Sequence, residues 1–123
     1  MVAHVLRALL PPPPNGPTVD FRGAAGRLLA EVSPLMWLGL VGSSLGFVLS
    51  PVTTIGWPLP SFWLPAEALD RHADRFSHHP VYLLRAGSTL LKMCAAFAWG
   101  ELPAVRQGWG VSTDVADPRT WRP

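Results

Sequence analysis

The chain has 123 residues, of which 49% are hydrophobic and 15% are charged, with 14 prolines, 11 glycines and a net charge of +2. This hydrophobic content excludes an intrinsically disordered chain, and the length limits it to one small domain. The basic residues are not clustered, so we expect no nucleic acid partner. Because few charged residues are available to cover the apolar ones, part of the surface is predicted to contact a partner protein or a membrane.

Residues 1–31 are predicted to form an N-terminal arm and a Pro-rich linker. Val2, Val5, Leu6 and Leu9 have helical spacing, but two turns of helix are marginal unless they pack on something. Residues 11–14 are consecutive prolines, which predict polyproline II structure. Asp20 can then cap a short helix.

The N-terminal sequence also bears on location. Its apolar stretch ends at Pro11, which is too early for a secretory signal, and it contains no twin arginine. We therefore expect a cytoplasmic or membrane-associated chain without an export signal of its own. The single cysteine, Cys94, allows no intrachain disulfide and is compatible with a reducing compartment.

A helical domain is predicted over residues 32–110, and it begins with an uncharged zone at residues 32–66. Two prolines bracket residues 35–50, which would give a helix of roughly 24 Å, slightly short of the ~30 Å hydrocarbon core. Three interpretations stay open for this zone. It could be a kinked membrane span over residues 35–57, an interfacial helix, or a helix buried or covered by a partner.

Small residues recur at helical spacing within this zone, and they would let another helix approach closely. They are Gly39, Gly42, Ser43, Gly46 and Ser50. Residues 51–65 then contain four prolines and are predicted to form an extended aromatic crossing. Its Trp57, Phe62 and Trp63 are either interface anchors or plugs of a small core. A further alternative is an apolar ligand site lined by Trp37, Phe47, Trp57 and Trp63.

The last zone resembles an ordinary soluble helical region. Pro65 precedes acidic residues and predicts a helix start, and Pro80 predicts another helix that ends near Gly100. The apolar residues of this second helix cover more than half of its circumference, so it is predicted to be the central element of a bundle. One side carries Val81, Leu84, Leu91, Cys94, Ala95 and Ala98, and the side next to it carries Leu83, Leu90, Met93 and Phe97. Arg85 and Lys92 form one of its few polar lines, which suits either solvent or a neighbouring carboxylate. Pro103 begins a short last helix, and residues 111–123 are predicted to be an extended tail.

Few residues are candidates for chemistry. His72, His78 and His79 match no metal-ligand spacing, and no further ligands complete a shell. Asp70 and Asp74 alternate with arginines as on a solvated helix face. We expect no catalytic, cofactor-binding or metal-binding residues in this chain, because no nucleophile elbow, phosphate loop or dinucleotide fingerprint is present.

The stretch over residues 64–110 reads LPAEALDRHADRFSHHPVYLLRAGSTLLKMCAAFAWGELPAVRQGWG. It resembles the helical region that precedes the FAD-binding domain in bacterial glucose-methanol-choline (GMC) oxidoreductases of the long-chain alcohol oxidase type, and their detached small subunits. The resemblance is carried by Arg75, Ser77, Arg85, Leu91, Lys92, Trp99, Gly100, Pro103, Val105, Gly108, Trp109 and Gly110. Trp99 and Trp109 stand where the family pattern has Tyr, and no flavin fingerprint follows.

The resemblance implies an all-α accessory subunit that docks on a larger FAD-dependent flavoprotein and stabilises it, with FAD in the partner and none in this chain. The expected fold is a small helical bundle with an N-terminal arm, an apolar central helix, an extended aromatic crossing and a C-terminal strap. The expected partner interface consists of Trp37, Gly39, Gly42, Gly46, Phe47, Trp57, Phe62, Trp63, Arg85, Trp99 and Trp109. The alternative is a small membrane-anchored subunit that uses residues 35–57 as its span.

Overall fold

The predicted all-α class is confirmed. The computed structural model describes residues 1–12 and 16–110, and this part of the chain contains seven α-helices and no strand. Their bounds are α1 Val2–Leu9, α2 Phe21–Glu31, α3 Pro34–Leu49, α4 Pro51–Thr54, α5 Ala66–Ser77, α6 Tyr82–Gly100 and α7 Pro103–Gly108. A 3₁₀ turn spans Ser61–Trp63. The predicted tail at residues 111–123 and part of the proline run lie outside the described residues.

Caps and prolines fix where these helices begin. The Asp20 carboxylate accepts a hydrogen bond from the Gly23 amide at 2.9 Å, which is the predicted cap of α2. Pro34 opens α3, where the Ser33 hydroxyl accepts from the Met36 amide at 3.3 Å. The helix predicted from Pro80 begins two residues later, at Tyr82, after a turn in which the Val81 amide donates to His79 Nδ1 at 3.1 Å.

Helix α6 is the central element, as its apolar circumference predicts. It packs against α1, α2, α3, α5 and α7. Its buried residues are Gly87, Ser88, Leu91, Cys94, Ala95 and Ala98. The core between α6 and its neighbours also contains Phe47 and Phe76, whose rings meet edge to face at 5.2 Å.

Helix α1 is part of this core and does not form an arm. Val5 and Leu6 are completely buried, and the helix packs against α2, α3, α5 and α6. Two isolated turns are marginal in water, but burial of one apolar face stabilises them once the other helices supply a surface. The domain therefore begins at α1, and the predicted boundary at residue 32 does not separate an arm from the bundle.

The crossing at residues 51–65 is also less extended than predicted. Pro51 opens the short helix α4, and the Pro60 carbonyl accepts from the Trp63 amide at 3.1 Å in the 3₁₀ turn. Proline is favoured at a first helical position because its missing N–H is not needed there. The prolines thus start short helical pieces here and do not hold the whole segment in an extended form.

Candidate interaction site

An aromatic segment at residues 57–63 lies on the surface. The exposed fraction of its large side chains rises along the segment from 38% at Trp57 to 67% at Trp63, with Leu59 and Phe62 between these values. Rigid, exposed aromatic side chains are the residues that most often dominate the energy of protein interfaces. The structure thus places three of the predicted anchors on the surface and not in the core.

The aromatic segment is fixed to the bundle from beneath. The hydroxyl of the buried Ser61 lies 3.1 Å from His4 Nε2, and the His4 and Phe62 rings lie 4.6 Å apart. Leu64, which directly follows the segment, is buried. Burial, together with the charge of the N-terminal ammonium, lowers the pKa of His4 below its ordinary value, so the neutral imidazole is favoured in this contact. Because its base is held in place, the segment would lose little conformational entropy on binding.

The small residues of α3 lie on two different sides of that helix. A Cβ placed on Gly39 would lie 3.6 Å from Leu90, and one on Gly46 would lie 3.4 Å from Leu84, so both glycines face α6 within the chain. Gly42 is exposed, and a Cβ there would meet nothing within 4 Å. Of these three glycines, only Gly42 is exposed.

The remaining predicted interface residues are spread over several places. Phe47 is completely buried and belongs to the core, whereas Trp37 on the same helix is 45% exposed. Arg85 is exposed, donates to the His79 carbonyl at 3.3 Å and lies 5.9 Å from the centre of the Tyr82 ring. These three residues therefore do not form one site.

Trp99 lies near the C-terminal end of α6, and Trp109 directly follows α7. They line an apolar cavity of about 280 Å³ together with Leu10, Pro11 and Ala96. The Trp99 indole nitrogen is buried and has no hydrogen-bond partner among the described residues, and Trp109 is 69% exposed. The structure brings these two predicted residues together, away from the aromatic segment's contact with α1.

A second exposed apolar surface was not predicted as an interface from the sequence. We call it the leucine face, and it is formed by the outward sides of α3 and α6. Its residues are Leu35, Leu38, Gly42, Leu45 and Leu49 on α3, and Leu83, Ala86, Leu90, Met93 and Phe97 on α6. Its signal in the sequence is spacing alone, because both sets repeat at alternating intervals of three and four residues.

His72 is the one histidine of its cluster that lies in the core. Its Nε2 donates to the Phe47 carbonyl at 2.8 Å, since a carbonyl can only accept, and its Nδ1 lies 2.6 Å from the Thr54 hydroxyl. Burial lowers the pKa of His72, and the bond to the Phe47 carbonyl opposes that change. Both ring nitrogens are therefore occupied in joining α5 to α3 and α4, a structural role.

Within residues 1–12 and 16–110, no group of three or more His, Cys, Asp or Glu side chains is arranged to hold a metal ion. In the same part of the chain, no single helix has both the length and the apolar character to cross a membrane. One bent pair, Ala66–Ser77 with Tyr82–Gly100, meets the length and composition requirement only when its helices are taken together across a bend of 115°.

No known protein family, curated protein or solved structure matches the chain.

Proposed function

We propose that this chain is a non-catalytic accessory subunit that docks on a larger FAD-dependent oxidoreductase of the GMC type and stabilises it. The observation that supports the proposal best is the aromatic segment, which exposes Trp57, Phe62 and Trp63 on a base fixed by Ser61 and His4. Solvated surfaces rarely concentrate this much rigid aromatic area, and interface centres commonly do.

We base the proposed class of partner on the sequence pattern of residues 64–110, which resembles the helical region of that flavoprotein class. In the structure this stretch comprises α5, α6 and α7, and therefore includes the central helix. An accessory subunit of this kind would contribute helices and docking surface, and the flavin would be bound by the partner.

The experiment is co-expression of the full chain with candidate GMC-type flavoproteins from the same organism, followed by purification through a tag on the flavoprotein. We expect a stoichiometric complex and a higher melting temperature of the flavoprotein in its presence. A folded chain that leaves the tagged flavoprotein without a partner and with an unchanged melting temperature would overturn the proposal.

A matched pair of variants locates the site within that complex. Trp63→Ser removes an aromatic side chain that is 67% exposed in the aromatic segment, and Tyr82→Ser removes one that is 70% exposed at the start of α6. Loss of a central aromatic anchor typically costs about 2 kcal/mol or more, so Trp63→Ser should weaken the complex roughly thirtyfold. Equal affinities of the two variants would place the docking site elsewhere.

A further inference from the structure

The leucine face has the spacing of a helix-packing surface. Along α3 its members lie at positions 35, 38, 42, 45 and 49, and along α6 at positions 83, 86, 90, 93 and 97. Alternating intervals of three and four residues keep side chains on one side of a helix, as they do at the contact of helical bundles and coiled coils. Here that side faces outward on both helices: Leu35 and Leu83 are 80 and 77% exposed.

The two stripes form one continuous surface. Gly39 lies against Leu90, Ser43 against Gly87 and Gly46 against Leu84, so α3 and α6 run antiparallel along a shared seam. Leu90 belongs both to this seam and to the stripe on α6. Gly42 lies one turn from both Gly39 and Gly46, next to the seam on α3. The stripes therefore flank the seam on its outer side, opposite the buried side that carries Phe47 and Leu91.

The leucine face is large enough for a stable interface. Its seven large outward side chains, other than Leu90, are 47 to 80% exposed. Taking about 200 Å² for a fully exposed side chain of this size, the face presents roughly 900 Å², which is about what each partner contributes to an interface of standard size. It contains no charged residue: Arg85 and Lys92, the two cations of α6, lie off the stripe.

The face also carries both halves of a self-complementary contact. Each stripe has a small residue at its centre, Gly42 on α3 and Ala86 on α6, between larger side chains. Gly42 is not required by the chain's own packing, because the space beyond it is open. In a two-fold symmetric pair the large residues of one copy can enter the depressions of the other, and an uncharged face brings no like charges together.

We propose that a second copy of this chain covers the leucine face, which gives a symmetric dimer with a four-helix interface of α3 and α6 from each copy. The geometry disfavours a membrane span, because α3 has 16 residues and reaches only roughly 24 Å, short of the ~30 Å hydrocarbon core. The dimer interface does not include the aromatic segment, which stays available to the oxidoreductase. The two interfaces can therefore be tested separately.

Sedimentation equilibrium of the full chain at about 1 to 100 µM tests the dimer. We expect a dimer whose dissociation constant rises at least tenfold in Leu38→Glu and in Leu83→Glu. Each variant would bury one carboxylate from each copy in the interface. Both positions are 62% or more exposed, so the helical circular dichroism of the monomer should persist. Trp63→Ser, the variant of the aromatic segment, should dimerise like the parent chain.

Three outcomes would overturn the dimer. The first is a monomer throughout this concentration range, and the second is a dimer that both glutamate variants leave unchanged. The third is a monomer that floats with vesicles of phosphatidylcholine and phosphatidylglycerol and loses this binding in Leu38→Glu, which would assign the face to lipid. A dimer that fails to bind the flavoprotein would leave this inference intact and remove only the proposed function.

Discussion

Gly87 lies directly against Ser43 where α6 crosses α3. A Cβ placed on Gly87 would lie 2.6 Å from Ser43 Oγ and 2.9 Å from Ser43 Cβ, both closer than real Cβ contacts allow. Rotation of the Ser43 hydroxyl cannot relieve this contact, because its Cβ is fixed to the backbone. The position of Gly87 therefore sets how closely the two longest helices approach, and the outer side of this crossing is the leucine face.

Gly87→Ala should destabilise the chain although alanine is the better helix former. The gain in helix propensity is about 1 kcal/mol, whereas overpacking at a tight crossing costs about 1 to 3 kcal/mol, so the net loss is about 0 to 2 kcal/mol with a centre of about 1 kcal/mol. Urea unfolding followed by circular dichroism measures it. Gly26→Ala on α2 is the matched control, because a Cβ there meets nothing within 4 Å and the change should stabilise. A Gly87→Ala variant as stable as Gly26→Ala would show that the crossing yields without cost.

The positions of the helices could largely be predicted from sequence, because capping and proline chemistry are local. Asp20, Pro34 and Pro103 each stand where the structure begins a helix or caps one. The helical conformation of α1 could be predicted from its spacing, but its position in the core could not. Its two turns need surfaces from four other helices, and no local signal in residues 1–10 says that these surfaces exist.

The candidate site could be predicted only in part, for a similar reason. Periodicity separates the Leu91 side of α6 from the Met93 side, but both sides are apolar, and only tertiary packing determines that the Leu91 side is buried and the Met93 side exposed. The aromatic residues Trp57 and Trp63 could be identified as anchors or as core, and packing decides that they are exposed. Phe47 is also an aromatic residue of the uncharged zone, yet it lies in the core.

The free energy of unfolding should fall as the pH is lowered below 6.5. Burial lowers the pKa of His72 in the folded state below its ordinary value of 6.5, so the unfolded chain takes up a proton first. The stability is therefore fully present above 6.5 and is lost as the pH falls toward the folded pKa. His4, whose pKa is also lowered, acts in the same direction. Urea midpoints from pH 8 to 5.5 should show a smaller slope in His72→Gln, with the smallest in the His4→Gln, His72→Gln double variant. A slope of opposite sign, or one equal in all variants, would contradict this assignment.

Thr54→Val should be destabilising because it leaves His72 Nδ1 without a partner in the core. The hydroxyl lies 2.6 Å from that nitrogen, and both residues are buried. An unsatisfied buried polar group costs about 1 to 3 kcal/mol. Thr53→Val is the control: that hydroxyl donates to the Ser50 carbonyl at 2.9 Å, but the residue is exposed and water can replace the bond. Chemical denaturation should separate the two variants by about 1 kcal/mol or more, and equal midpoints would show that the bond to His72 contributes nothing.

Leu6→Ala should be the most destabilising of these changes, and it tests whether α1 belongs to the core. Leu6 is completely buried in the cluster that also contains Phe21, Leu91 and Ala95. Truncation of a buried leucine costs about 2 to 5 kcal/mol, because apolar contact is lost and a cavity remains. The neighbouring Arg7→Ala is the control, since Arg7 is exposed and forms no salt bridge within residues 1–12 and 16–110, and its effect should stay within about 0.5 kcal/mol. Thermal and urea unfolding measure both variants. If Leu6→Ala were as stable as Arg7→Ala, residues 1–10 would be an appended arm after all, and the bundle would be complete without them.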